Sequence, residues 1–146
     1  MTKRICYTLC CFLLFPLFLC GCCSDGLIFV SGNITLDGQS LSEGMIMFIP
    51  SGTNGNSASA IISGGKYNVR VSPCKMIVRI FAERPYTDEE IKKLRANPMY
   101  NNDPMFNPEK MKKQYIPEKY NEKSILSAEI QENTRELNFE LKSSEN

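Results

Sequence analysis

Beyond Asp25 the hydrophobic positions fall into short runs with a period of two. Val30, Gly32, Ile34 and Leu36 alternate with Ser31, Asn33 and Thr35, which predicts a half-buried strand. Asp37-Gly38 closes it with a pair suited to the positive φ of a tight turn. Met45-Ile46-Met47-Phe48-Ile49 is apolar at every position and predicts a central strand covered on both faces. Ser57 to Ile62 is a weaker strand that ends at Gly64-Gly65. Tyr67, Val69 and Val71 alternate with Asn68 and Arg70; Met76, Val78 and Ile80 alternate with Ile77, Arg79 and Phe81. Leu126, Ala128 and Ile130, then Leu137, Phe139 and Leu141, supply the last two strands, with a hairpin turn expected at Glu132-Asn133-Thr134. Seven short strands at this spacing predict an all-β, antiparallel, seven-stranded β-sandwich.

One stretch, 83–123, breaks the period. Glu90 stands three residues after Thr87, the spacing of a capping box, and Pro98 stops the helix so begun. Asn107-Pro108 repeats the start signal and predicts a second short helix with Met111 and Tyr115 on one side. The expectation is a helical insertion at about 83–115, between the fifth and sixth strands. Five of the chain's 14 aromatic residues lie in or beside it: Tyr86, Tyr100, Phe106, Tyr115 and Tyr120. Tyr115 and Tyr120 precede the returning strand and are expected to be buried. Tyr86, Tyr100 and Phe106 form the candidate interaction surface, since tyrosine offers a rigid apolar body and a polar tip.

The N-terminus carries an address. Lys3 and Arg4 precede an apolar run from Ile5 to Leu19, and Leu19-Cys20-Gly21-Cys22-Cys23-Ser24 follows. A basic head, an apolar middle and a small-residue zone make an export signal. Its end resembles the lipobox of bacterial lipoproteins, in which a small residue precedes the lipid-modified cysteine. Gly21 and Cys22 fit that pattern, with Leu19 three places before the cysteine. The resemblance implies a signal peptide at 1–21, cleavage between Gly21 and Cys22, and a tether at 22–26. Cys22 would carry diacylglycerol on its thiol and a palmitate-type acyl group on its amino group. It would then hold the domain on a bacterial membrane, outside the cytoplasm. Several acyl chains hold a protein stably on a membrane where one binds only marginally. Cys23 rather than an aspartate follows Cys22, which by the same resemblance favours the outer membrane or cell surface. Ile5 to Cys23 is also 19 residues without a charge, so an uncleaved membrane anchor is the competing reading.

Composition removes several kinds of chemistry. The chain has 146 residues, no histidine and a formal net charge of +1. Without histidine there is no Ser-His-Asp or Cys-His nucleophile, and near-neutral charge gives no case for nucleic acid. Removing residues 1–21 leaves Cys22, Cys23 and Cys74 of the seven cysteines, too few for a disulfide framework. A single Cys23–Cys74 bridge stays open, as does passive packing of Cys74 at a strand end. Asn101, Asn102 and Asp103, with Asp88, Glu89 and Glu90, offer oxygen ligands for a metal. They lack a Ca²⁺-loop pattern and read as turn and helix-start chemistry. No cofactor is called for. Lys110, Lys112 and Lys113 have acidic neighbours and read as a solvated face.

A resemblance covers most of the remaining chain. Val30 to Leu41, with Asp37-Gly38-Gln39-Ser40-Leu41 at its end, leads into Glu43-Gly44-Met45-Ile46-Met47-Phe48-Ile49-Pro50. This opening resembles small bacterial lipoproteins with a carboxypeptidase-regulatory-like domain, also called transthyretin-like or prealbumin-like. Gly65-Lys66-Tyr67, Ile116-Pro117-Glu118-Lys119-Tyr120-Asn121 and Glu136 to Leu141 continue the match. Ser40, Cys74 and Met76 depart from it, standing where the family has proline, glycine and tyrosine. The resemblance implies a transthyretin-like, immunoglobulin-like sandwich at 27–142, with a polar tail at 143–146 and no catalytic residues. The expected function is a non-catalytic cell-envelope module that scaffolds or binds a protein. The alternative is a binder of a small ligand or glycan that uses 83–123.

Overall fold

The computed structural model describes residues 26–100 and 105–143. Each period-two run becomes a strand, because alternation gives a pleated ribbon one apolar face to bury. The strands are β1 (Ile28–Leu36), β2 (Gln39–Ser40), β3 (Glu43–Pro50), β4 (Ala58–Ser63), β5 (Lys66–Val71) and β6 (Lys75–Phe81). After them come β7 (Glu83–Pro85), helix α1 (Asp88–Ala96), β8 (Lys112–Gln114), β9 (Ser127–Glu129) and β10 (Phe139–Leu141). Asp37 and Gly38 turn the chain from β1 into β2 with φ of 52° and 81°. Both central positions of such a turn need positive φ, which is why Asp-Gly signals it.

The architecture is all-β and mostly antiparallel, a single curled sheet in the order β10-β1-β5-β4-β3-β6-β9, with β2 beside β1. Strands β4 and β5 pair only at Ser63 and Lys66, next to their turn. Beyond it the sheet bends, and its two halves face each other. The Phe48 ring of β3 lies 6.0 Å from that of Tyr67 on β5, and Tyr67 lies 6.4 Å from Phe139. Ile34, Ile46, Val78, Ile80 and Leu141 are buried between the halves. Each such side chain contributes about 1.5–3 kcal/mol by leaving water.

The structure corrects three expectations. First, the last two strands make no hairpin. β9 pairs with β6 at one edge, while β10 crosses to the other edge and pairs with β1 in parallel. Alternation shows which face a strand buries but not which neighbour it takes, and the curl brings the β1 edge within reach of the crossing chain. Second, residues 107–115 do not form a helix. A 3-10 turn at Pro108–Lys110 ends at Met111, whose extended backbone (φ −85°, ψ 151°) leads into β8. β8 then pairs with β7, setting Glu83 against Gln114 and Pro85 against Lys112. Third, β3 is covered on one face only. Ile46 and Phe48 enter the core, whereas Met45, Met47 and Ile49 lie on the outer face, where Met45 is 41% exposed.

Candidate functional site

The 83–115 segment is organised by charge. Thr87 caps α1: its hydroxyl oxygen accepts from the Glu90 amide, and the Glu90 carboxylate accepts from the Thr87 amide. The same carboxylate takes two hydrogen bonds from the Arg84 guanidinium on β7, at 2.8 and 3.0 Å. It takes a third from Lys113 Nζ on β8, at 3.0 Å. The Arg84 hydrogen bonds, then the Thr87 amide and Lys113, hold the Glu90 carboxyl well below the ordinary carboxylate range. Glu90 in turn pushes Arg84 upward. Arg95 of α1 pairs with Glu109, which joins the helix to the 3-10 turn. No residue of α1 is buried.

Tyr100 and Phe106 stack on one another, with centroids 4.6 Å apart and rings within 14° of parallel. Both are half-buried, and so is Tyr86. Their neighbours carry the exposure instead, with Met99 75% and Met105 87% accessible. Of the three candidate surface residues, the fold therefore brings together Tyr100 and Phe106, and the sequence reading missed the two methionines. Their positions at either end of the turn-rich stretch were visible, but methionine has no periodic signature outside an element. Tyr115 and Tyr120 are drawn inward as expected. Tyr120 is buried, and its hydroxyl oxygen accepts from the Lys142 amide at 3.1 Å. Tyr115 packs against the core. Asn121 is buried too, its Nδ2 donating to the Ile116 carbonyl at 2.9 Å, which ties the two ends of 116–121 together.

At the root of the 83–115 segment lies an open cleft of about 350 Å³ between Glu43, Met45, Phe81, Glu83 and Lys112. Gln114 also lines it, with Oε1 accepting from the amides of Ala82 and Ile116. Among the described residues no group of three or more histidine, cysteine or acidic side chains could hold a metal. Cys74 is half-buried, and its thiol donates to Met76 Sδ at 3.8 Å. Lys110, Lys112 and Lys113 are exposed, but on the 3-10 turn and β8 rather than on a helix face. Gly21, Cys22, Cys23 and 101–103 lie outside the described residues. Among the described residues no helix is long and apolar enough to cross a membrane.

No family model matches the chain. No curated protein matches it. A solved structure of a 9R-lipoxygenase from Cyanothece PCC8801 is similar over 81% of this chain and 16% of that one. The identity is 8% and the TM-score 0.41, a likeness too slight to carry an argument.

Proposed function

We propose that the protein is an exported, lipid-anchored and non-catalytic module of the bacterial cell envelope, which binds a protein through its 83–115 segment. In this reading the β-core is a transthyretin-like, immunoglobulin-like sandwich, 83–115 is an insertion in it, and Cys22 carries the lipid. The observation that supports binding is the exposure of Met99 and Met105 beside the Tyr100–Phe106 stack. Flexible methionines around a rigid aromatic pair suit a protein contact, because the rings present area at low entropic cost while the thioethers adapt. Charge fixes the segment from within, through Arg84, Glu90 and Lys113. The address rests on Lys3, Arg4, the apolar run and Gly21-Cys22.

Two measurements test the two halves of this reading. The intact mass of membrane-extracted protein should match residues 22–146 plus acyl groups, and a Cys22→Ala variant should lack that mass. An unprocessed mass would overturn the lipoprotein reading. A photo-crosslinking residue at Met99 should capture a defined envelope protein in cells, and Tyr100→Ala should abolish the adduct. Adducts that are diffuse, or unchanged by Tyr100→Ala, would overturn the binding reading.

A further inference from the structure

The cleft at the root of the 83–115 segment lies on the seam between the large sheet and the β7–β8 pair. Glu43 and Met45 of β3 and Phe81 of β6 line it from the large sheet, and Lys112 and Gln114 of β8 line it from the small one. Glu83 stands where the chain passes from one sheet to the other, and its cross-strand partner is Gln114. Glu43 and Met45, like Lys112 and Gln114, are two residues apart on one strand, so each pair shares a face. Ala82, like Val78, turns its backbone away from β3 and bonds the Tyr115 amide through its carbonyl, so β8 lies across this chain from β3. Junctions of this kind are where small-molecule sites tend to form, and about 350 Å³ is room enough for one.

The charged groups of the cleft take no part in the ion pairs that organise the segment. Arg84, Glu90 and Lys113 answer one another, and Arg95 answers Glu109. Among the described residues the side chains of Glu43, Glu83 and Lys112 make no ion pair. Two carboxylates and one ammonium leave the cleft a net charge of −1, and the carboxylates repel each other until a cation comes between them. Gln114 is set as a donor. Its Oε1 is held by the Ala82 and Ile116 amides, which turns Nε2 away from them, and that group bonds no described residue. The donors of Lys112 and Gln114 therefore stand on one side of Glu83 and the Glu43 carboxylate on the other, with neighbouring strands about 5 Å apart. Met45, 41% exposed, and the half-buried Phe81 add an apolar wall.

We propose that this cleft binds a small zwitterion, an α-amino acid with an apolar side chain. Its ammonium sits between Glu43 and Glu83, its carboxylate accepts from Lys112 Nζ and Gln114 Nε2, and its side chain rests on Met45 and Phe81. An ammonium and a carboxylate on one carbon are close enough to be served from the two sides of Glu83, and charge-assisted hydrogen bonds are stronger than neutral ones. A metal ion alone is a poorer match. Two carboxylates fall short of the about six oxygens that a hard cation takes, and Lys112, Gln114 and the apolar wall would have no role. Because the cleft is open to water, binding is weak, with a dissociation constant on the order of 1 mM. The site is separate from the Met99–Met105 surface and independent of the envelope address.

An NMR titration of the full-length chain in detergent at fixed ionic strength tests it. Leucine is the probe, and the readout is the amide signals of Ala82 and Ile116, which bond Gln114. These signals should move with a midpoint on the order of 1 mM at about pH 7. N-acetyl-leucine, which has no ammonium, should bind about tenfold more weakly or worse, and leucinamide, which has no carboxylate, about fivefold. Glycine, without the side chain, should also be about fivefold weaker. Glu83→Gln should weaken leucine about fivefold, and Lys112→Gln should erase the preference for leucine over leucinamide. Both positions are exposed, and unchanged signals elsewhere in the sheet show that the variants fold. Ala82 and Ile116 signals that stay fixed up to about 20 mM leucine would overturn the proposal. So would N-acetyl-leucine binding as tightly as leucine, or a preference for leucine that survives Lys112→Gln.

Discussion

Phe48, Ile80 and Leu141 are fully buried between the halves of the sheet, whereas α1 buries none of its nine residues and is fixed by Thr87, Arg84 and Lys113 around one carboxylate. The two regions answer differently to conditions. Apolar burial is insensitive to pH and modest salt, while half-exposed ion pairs are screened by salt and lost when the acid protonates. The 83–115 segment can therefore loosen while the sheet stays folded.

The comparison breaks most visibly in the core. Phe48→Ala should destabilise the whole chain by about 3–5 kcal/mol, seen as a lower urea midpoint, and a smaller loss would mean that the halves close up over the cavity. Gly32→Ala should cost about 1–3 kcal/mol or more, because a Cβ there would sit 1.7 Å from the Leu137 carbonyl oxygen. Its effect should concentrate on the parallel β1–β10 side, read as early amide exchange at Leu137 and Asp37, whose amides donate to the Ser31 and Leu141 carbonyls.

Glu90→Gln should leave the global midpoint nearly unchanged while α1, β7 and β8 lose exchange protection together. If only α1 responds, Glu90 is a helix cap and not a clamp between elements. Acid should act in the same place. The folded-state pKa of Glu90 lies below its ordinary value of 4.5, so its contribution is complete above about pH 4.5 and fades as pH falls through the folded value. Exchange in 83–115 should therefore rise below about pH 4 before the sheet responds. The smallest effect is expected for Thr87→Ala, about 1 kcal/mol of local helix stability, read by exchange at Ile91. Loss of protection across the sheet in that variant would contradict the separation of the two regions.

The local rules were legible from single residues. The Asp37-Gly38 turn, the Thr87–Glu90 cap, the stop at Pro98 and the faces of the five period-two strands follow from backbone sterics and side-chain reach within a few positions. So does the inward pull on Tyr115 and Tyr120, which stand where the chain must return to the sheet. The site was legible only in part, since Tyr100 and Phe106 stood out by type but nothing local announced that they stack or that Met99 and Met105 are exposed.

What the sequence determined by itself is an all-β chain, the location of its irregular segment and the face that each alternating strand buries, because these are set by periodicity and by φ preferences of adjacent residues. Tertiary structure alone decided that β10 joins β1 in parallel, that 112–114 pairs with β7, and that the outer face of β3 is open. Those outcomes depend on which backbone groups and which apolar surfaces come within reach after the sheet curls. That is a property of residues a hundred positions apart, as Ser31 and Glu136 are.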